Sequence, residues 1–136
     1  MDWARRAAQL SHARRLNVGA VIVKDDTVIS YGYNGMPAGW DNNCEDEIKW
    51  PNGDIKFLTT KPEVLHAESN AIAKLARSNN SGQGADLFVT HSPCLECAKL
   101  IYQSGIRRVF YGENYRDDAG LQFLYRSGLE IEKLDV

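Results

Sequence analysis

Two short segments of the chain carry residue types that commonly bind metal ions, His66-Ala67-Glu68 and Pro93-Cys94-Leu95-Glu96-Cys97. Together they supply one imidazole, two thiols and one carboxylate that is not needed as a ligand. Three such ligands leave the fourth tetrahedral position of a zinc ion open, which distinguishes a catalytic zinc site from a structural one. The two segments therefore predict a catalytic metal centre formed by His66, Cys94 and Cys97.

The local spacing supports this interpretation. Cys94 and Cys97 are three positions apart, so on a helix both thiols lie on one face. Ser92 is a suitable N-cap and Pro93 suits the first helical position, which places Cys94 in the first turn, where the helix dipole favours a thiolate. His66 and Glu68 are two positions apart. One can therefore bind the metal while the other reaches a water molecule.

Other interpretations of the cysteine pair are possible. A lone C-x-x-C can be redox-active, and a structural zinc would need a fourth ligand, which Cys44 in a polar loop could supply. However, Pro93 precedes the pair and an H-x-E segment lies upstream. The full pattern H-x-E…P-C-x-x-C is that of the zinc-dependent nucleobase deaminases. The combination favours a catalytic metal.

Composition restricts the class of protein. The length of 136 residues predicts a single domain over 1–136 with a substantial core. The formal net charge of −2 argues against a nucleic-acid-binding protein, which usually has a basic face. No apolar run approaches membrane-spanning length, and the first residues lack the apolar core of a signal peptide. Three cysteines, two of them assigned to metal, leave no disulfide pair, so a cytoplasmic location is expected.

Hydrophobic periodicity predicts the elements that position these residues. The first half reads as a helix over 3–16, a hairpin of strands over 18–23 and 27–31, a loop over 31–40 and an irregular segment over 41–63 with one brief strand at 54–58. The second half alternates helices over 66–77, 93–104 and 119–127 with strands over 86–90, 107–111 and 129–134. Alternation predicts parallel strands with right-handed crossovers, and the hairpin makes the sheet mixed. Both metal-binding segments then fall at helix starts.

The loop after the second strand contains Asn34 within Gly-Tyr-Asn-Gly. An asparagine side chain both donates and accepts hydrogen bonds, so Asn34 could read a base or a sugar hydroxyl. However, an isolated Asn-Gly pair is more often a turn in which the side chain is satisfied by its own backbone. The residues alone therefore favour a turn over a contact with a ligand.

The chain resembles the deoxycytidylate (dCMP) deaminase family, within the cytidine-deaminase-like fold. The resemblance covers nearly the whole length and rests on the segments at 18–23, 32–39, 66–72 and 92–99, of which the Gly-Tyr-Asn-Gly-x-Pro-x-Gly loop separates these enzymes from tRNA adenosine deaminases. It implies a three-layer α/β fold with a mixed five-stranded sheet of order 2-1-3-4-5 flanked by helices. It also implies hydrolysis of dCMP to dUMP and ammonia (an EC 3.5.4 reaction), which supplies dUMP for thymidylate synthesis.

The resemblance further implies regulation and assembly. Relatives are activated by dCTP and inhibited by dTTP, with Mg²⁺ accompanying the triphosphates, and commonly form homohexamers. Some phage members hold a second, structural zinc with extra Cys and His residues. Only Cys44 and His12 are available here, so one Zn²⁺ per chain is expected.

Site roles follow from the same resemblance. His66, Cys94 and Cys97 hold Zn²⁺, and Glu68 carries protons from water to N3 and the leaving amino group of cytosine. Asn34 contacts the sugar or base, the backbone N–H of Ala67 binds the pyrimidine O2, and Tyr115 lines the pocket. Four basic residues are candidates for the 5′-phosphate: Arg14, Arg15, Lys24 and Arg116. The regulatory nucleotide site is expected among Lys24, Gly35, Ala38, Gly39, Trp40, Asp41, Asn42 and Arg77.

Overall fold

A computed structural model describes residues 1–134. A five-stranded sheet has the order β2-β1-β5-β6-β7, and β3 and β4 form a separate hairpin. Counting only the strands of the large sheet, this is the expected order 2-1-3-4-5. The elements in chain order are α1 (Asp2–Ala8), β1 (Gly19–Lys24), β2 (Thr27–Tyr33), β3 (Glu45–Lys49), β4 (Ile55–Thr60), α2 (Ala67–Ala76), β5 (Asp86–His91), α3 (Leu95–Gln103), β6 (Arg108–Glu113), α4 (Ala119–Arg126) and β7 (Glu130–Lys133).

The sheet is mixed, as predicted. β1 pairs antiparallel with both β2 and β5, whereas β5, β6 and β7 run parallel. The β1–β2 hairpin turns at Asp25 and Asp26, which have φ angles of 51° and 60°. Two adjacent positive φ values match the twist of the flanking strands in a two-residue turn. The parallel strands require the crossovers that α3 and α4 provide.

The core lies between the sheet and the helices. Alternate residues of the strands point into it because side chains in a strand alternate between faces. On α2 one apolar face is buried at Ala67, Ala71 and Leu75, while Ile72 packs at the edge of the core. Fully buried strand and helix residues complete the packing: Ala20, Ile22, Leu87, Val89, Val109, Ala98, Ile101 and Leu124.

Two glycines let the metal-binding segments approach their neighbours. A Cβ at Gly32 in β2 would meet the backbone oxygen of Ala67 and lie 2.6 Å from the nitrogen of Ala71, so α2 lies directly against the strand. A Cβ at Gly120 in α4 would meet the backbone oxygen of Pro93 and lie 2.8 Å from the carbonyl carbon of Cys94. A side chain at either position would displace a helix start that carries a predicted metal ligand.

Three sequence predictions are wrong in detail. The first helix ends at Ala8, well before residue 16, because side chains bond to the backbone of the following segment; Ser11 Oγ, for example, accepts from Ala13 N at 3.2 Å. The irregular segment over 41–63 contains the β3–β4 hairpin. Ser92 is not the N-cap of α3, since Cys94 occupies that position. Within residues 1–134, every helix is too short or too polar to traverse a lipid bilayer.

Candidate metal centre and active-site cleft

The three predicted ligands converge at the starts of two helices. His66 is the N-cap of α2 and Cys94 the N-cap of α3, and each has an extended backbone and no side-chain cap hydrogen bond. The His66 Nδ1 atom lies 3.3 Å from Cys97 Sγ and 3.4 Å from Cys94 Sγ. All three donor atoms lie within 4.8 Å of one another. The ligands 28 positions apart therefore meet, as the sequence predicted.

These donors fit a zinc ion. Tetrahedral coordination with Zn–S near 2.3 Å and Zn–N near 2.0–2.1 Å separates nitrogen from sulfur by ~3.5 Å, close to the observed spacing. Among residues 1–134, the cluster contains no fourth protein ligand. Cys44 lies outside the cluster, and its thiol contacts the carbonyl oxygen of Asn42 at 3.5 Å. A structural site completed by Cys44 is therefore not formed.

The protein's own groups already favour a thiolate at this centre. Hydrogen bonds from the Cys97 thiol and the His66 ring lower the pKa of Cys94 to about 4. The same pairing with Cys94, together with burial, raises the pKa of Cys97. The hydrogen bond to Cys94 also raises the pKa of His66. One negative charge thus lies on Cys94, where a cation would bind.

Glu68 is the carboxylate next to the cluster. Its side chain is only 4 % exposed, and burial raises its pKa to about 7. A carboxyl group with a pKa near neutrality can accept and return a proton at physiological pH. Glu68 is in the first turn of α2, two residues beyond His66. The arrangement therefore supplies a general acid–base group beside the metal ligands.

The centre opens into a cleft of about 580 Å³, large enough for a small ligand. Its wall is formed by the metal-binding segments, the segment before β1, the β3–β4 hairpin and the loop after β6. The lining residues are Ala13, Arg15, Leu16, Val18, Asn34, Cys44, Glu45, Thr60, Val64, His66, Ala67, Glu68, His91, Ser92, Cys94, Glu113, Asn114, Tyr115 and Arg116.

Residues 1–113 match the family model described as the cytidine and deoxycytidylate deaminase zinc-binding region. The chain belongs to this family. The matched range contains every predicted metal ligand and Glu68. The resemblance seen in the sequence motifs is therefore confirmed, and the chain is a member of a family of zinc-dependent deaminases.

Individual relatives agree with this assignment. The chain is 37% identical to ComE operon protein 2 of Bacillus subtilis over 100% of this chain and 69% of that protein. It is 36% identical to the deoxycytidylate deaminase of phage T4 over 96% of this chain and 86% of the relative. The structure of the cyanophage S-TIM5 dCMP deaminase in complex with dCMP and dUMP superposes with a TM-score of 0.85 at 40% identity, covering 98% and 92% of the two chains.

The three predicted substrate-binding residues, Asn34, Ala67 and Tyr115, all line the cleft. Ala67 is the first residue of α2, so its N–H has no acceptor within the helix. The backbone N–H of Tyr115 donates to Ser92 Oγ at 2.7 Å, which fastens the loop after β6 to the segment before Cys94. Contacts of Ala67 and Tyr115 with a nucleotide remain predictions.

Asn34 has a structural role, but not the local turn that the residues alone favoured. Its Oδ1 accepts from the backbone N–H of Val18 at 2.8 Å, and its Nδ2 donates to the carbonyl of Leu16 at 2.7 Å. The side chain therefore bridges to another segment instead of closing a local Asn-Gly turn. It holds residues 16–18 in the cleft wall. A contact between Asn34 and substrate remains a prediction.

The predicted regulatory residues fall into two groups. Gly35 pairs with Leu65 just beyond β2, and the neighbouring predicted residues, from Ala38 to Asn42, follow in an exposed loop. Lys24 ends β1, and Arg77 is the C-cap of α2. Lys24 lies beside the start of β2 and Gly35 lies just beyond its end, so the seven residues of β2 separate the two groups by roughly 20 Å. A single chain does not bring the two groups together.

Two residues of the cleft wall, His91 and Glu45, are not among the predicted site residues. His91 ends β5, its Nε2 lies 3.2 Å from Glu113 Oε2, and its Nδ1 lies 3.0 Å from Thr90 Oγ1. His91 directly precedes the Ser92-Pro93-Cys94 segment, and this position could have indicated that it lies near the metal centre. The second residue, Glu45, is 1 % exposed in the cleft wall. Nothing in the polar segment around Glu45 indicated burial.

Proposed function

We propose that this protein is a zinc-dependent deaminase that hydrolyses dCMP to dUMP and ammonia. The observation that carries the proposal is the open His66, Cys94 and Cys97 cluster facing a cleft, with a buried carboxyl group of raised pKa beside it. The 40% identity to a dCMP deaminase that was crystallised with dCMP and dUMP supports the choice of substrate. The size of the cleft suits a mononucleotide.

His66, Cys94 and Cys97 would hold the zinc ion. Bound zinc lowers the pKa of a coordinated water from ~15.7 toward ~7 and so supplies a nucleophile at neutral pH. Glu68 accepts a proton from the attacking water and delivers it to N3 of the cytosine ring, which makes C4 more electrophilic. The hydroxide adds to C4. Glu68, again a carboxylate, then takes the remaining proton of the hydroxyl group on C4 and passes it to the amino group, so ammonia departs as the C4 carbonyl of dUMP forms. The burial that raises its pKa supports both transfers.

Other residues would orient the base. The buried start of α2 presents the N–H of Ala67 to the cleft, where it can bind the pyrimidine O2. Tyr115 and Asn34 both line the cleft and are proposed to contact the sugar. Because a misplacement of about 1 Å costs ~10²-fold in rate, the hydrogen bonds that fix these wall segments contribute to turnover indirectly.

The decisive variant is Glu68→Gln, which keeps the size of the side chain and removes its acid–base function. We expect normal zinc content by atomic absorption, and we expect the rate of ammonia release from dCMP to fall by about 10²- to 10⁴-fold. Glu96→Gln is the matched control, because Glu96 is an exposed carboxylate on α3 that pairs with Lys99 at 3.0 Å. Near-normal turnover by Glu68→Gln would remove Glu68 from the mechanism.

Ammonia release should be compared for dCMP, cytidine, dCTP and tRNA. Turnover of dCMP at the highest kcat/KM supports the proposal. Faster turnover of cytidine or of a tRNA adenosine would assign the same chemistry to a different substrate. A zinc-loaded protein that binds dCTP and turns over none of them would be a nucleotide-binding module.

We also propose the regulation and assembly that the family resemblance implies. In this proposal dCTP with Mg²⁺ activates the enzyme, dTTP with Mg²⁺ inhibits it, and the enzyme is a homohexamer. The wide separation of Lys24 and Arg77 from the Gly35–Asn42 loop fits a regulatory site completed by a neighbouring subunit. Sedimentation velocity with each triphosphate, alongside dCMP assays, tests both statements.

The unpaired thiols also support a reducing, cytoplasmic location.

A further inference from the structure

Glu45 is a buried carboxylate that organises the wall of the cleft. Its Oε2 accepts the backbone N–H groups of two consecutive residues, Arg14 at 2.9 Å and Arg15 at 3.1 Å. Its Oε1 lies 3.4 Å from Arg14 Nε. Burying a carboxylate is costly unless it is paired and hydrogen-bonded, as this one is. Glu45 therefore fixes the backbone of residues 14–15 against the start of β3.

The two arginines held in this way differ in their surroundings. The Arg14 guanidinium is neutralised by Glu45 and Glu47, whose Oε1 lies 3.3 Å from Arg14 Nη1. Arg15 lines the cleft and donates one hydrogen bond, from Nη1 to Thr60 Oγ1 at 3.0 Å. Within residues 1–134, no carboxylate lies within 4.0 Å of its guanidinium. Four of its five N–H donors are left for a ligand.

We propose that Arg15 binds the 5′-phosphate of the nucleotide and that Glu45 is the positioning residue that holds Arg15 in the cleft. The inference rests on the proposed deamination of a nucleoside monophosphate. A guanidinium is suited to phosphate because its planar fork matches two phosphate oxygens. An arginine that lines the cleft and has no carboxylate partner attracts a phosphate dianion. The pair thereby selects nucleotides over nucleosides.

The structure separates Arg15 from two other basic candidates. Arg14 already has carboxylate partners and does not line the cleft. Lys24 is at the far end of β1 from Gly19, and its Nζ lies 3.5 Å from the carbonyl oxygen of Ser81. Arg116 does line the cleft, in the loop after β6. Arg15 differs from Arg116 in being fixed on both sides, by Glu45 at residues 14–15 and by Asn34 at residues 16–18.

The test measures kcat/KM on dCMP and on deoxycytidine, together with calorimetric binding of dUMP and deoxyuridine to zinc-loaded protein. Arg15→Gln should lower kcat/KM for dCMP and the affinity for dUMP by about 10- to 100-fold. This is the loss expected when a hydrogen bond to a charged group is removed. Its effect on the nucleosides should be small, because they carry no phosphate. A general folding defect would lower nucleotide and nucleoside values together.

Glu45→Gln tests the positioning role, because the glutamine oxygen still accepts an N–H but the charge is lost. It should reduce dUMP binding less than Arg15→Gln does, and the double variant should bind no more weakly than Arg15→Gln alone. Additive losses in the double variant would overturn the statement that Glu45 acts through Arg15. Arg107→Gln is the matched control and should keep the preference for nucleotides within about threefold, because Arg107 is exposed and lies outside the cleft lining.

Unchanged dUMP binding by Arg15→Gln would overturn the inference while leaving the deaminase proposal intact. Conversely, wild-type protein that binds dUMP through Arg15 yet releases no ammonia from dCMP would overturn the deaminase proposal alone. Equal losses of affinity for dUMP and deoxyuridine in Arg15→Gln would show that Arg15 stabilises the cleft and does not bind the phosphate.

Discussion

Substituting Gly120 by alanine sets two physical effects against each other. Gly120 is the second residue of α4, and alanine is favoured over glycine in a helix by about 0.8–1.0 kcal/mol. Helix propensity alone therefore predicts a more stable protein. However, the new Cβ would meet the backbone oxygen of Pro93 and lie 2.8 Å from the carbonyl carbon of Cys94. The backbone of a metal-binding segment lies in its way.

The size of this conflict can be estimated from the structure. Ordinary contacts of a Cβ atom begin at 3.4 Å, so relieving the 2.8 Å contact requires a movement of at least about 0.6 Å, the difference between the two. Metal sites tolerate errors of only ~0.2 Å in ligand distance. Overpacking of this kind costs about 1–3 kcal/mol, which exceeds the gain in helix propensity. We therefore expect lower stability and a zinc affinity reduced by about 10- to 100-fold.

The assay pairs urea unfolding of the metal-free protein with zinc competition against a chelating dye. Gly35→Ala is the control, because a Cβ at Gly35 meets nothing within 4 Å. It should leave zinc affinity unchanged. If Gly120→Ala instead gained about 1 kcal/mol of stability and bound zinc as wild type does, the close packing of α4 on the Cys94 segment would be refuted.

Three further predictions concern the thiols, the metal and the cleft wall. In metal-free protein, Cys94 has a pKa of about 4 and should therefore be alkylated at nearly the same rate from pH 6 to 8. A rate that rises tenfold per pH unit would instead show an ordinary thiol. Cys44, which is buried and has a raised pKa, should react slowly at every pH, and bound zinc should protect Cys94 from alkylation. Chelation should abolish ammonia release but preserve the far-ultraviolet circular dichroism, because the main hydrophobic cluster of the described residues includes none of the three metal ligands. Added Zn²⁺ should restore activity. Asn34→Ala removes two hydrogen bonds to residues 16–18 and should lower the free energy of unfolding by about 1–3 kcal/mol; a value below about 0.5 kcal/mol by urea denaturation would contradict this account.

The sequence predicted the parts of the fold that follow from periodicity and ligand chemistry. The alternation of strands and helices after residue 66 gave the parallel half of the sheet, and Gly105 and Gly128 mark helix ends with φ near +87° and +85°. The metal cluster was predictable because only a few side chains bind zinc and their spacing is restricted. These signals are local and do not depend on what packs against them.

Other features depend on contacts between segments far apart in sequence. The first helix looked continuous to residue 16 because its apolar spacing continues, yet Glu45, some thirty residues later, bonds the backbone at Arg14 and Arg15 and competes with helical hydrogen bonds. Ser92 has the chemistry of an N-cap, but its hydroxyl accepts from Tyr115 instead. Tertiary hydrogen bonds thus override local propensity at the places where the cleft is built.

These overrides share a consequence for function. Each one directs a polar side chain to the backbone of another segment: Glu45 to residues 14–15, Asn34 to residues 16–18 and Ser92 to Tyr115. Hydrogen bonds of this kind fix loop backbone without filling the space between the loops with side chains. The metal ligands need only two helix starts in contact, whereas selecting a substrate needs walls at defined positions around an open volume. The metal chemistry is therefore readable from a few motif residues, while specificity resides in long-range hydrogen bonds that no short motif contains.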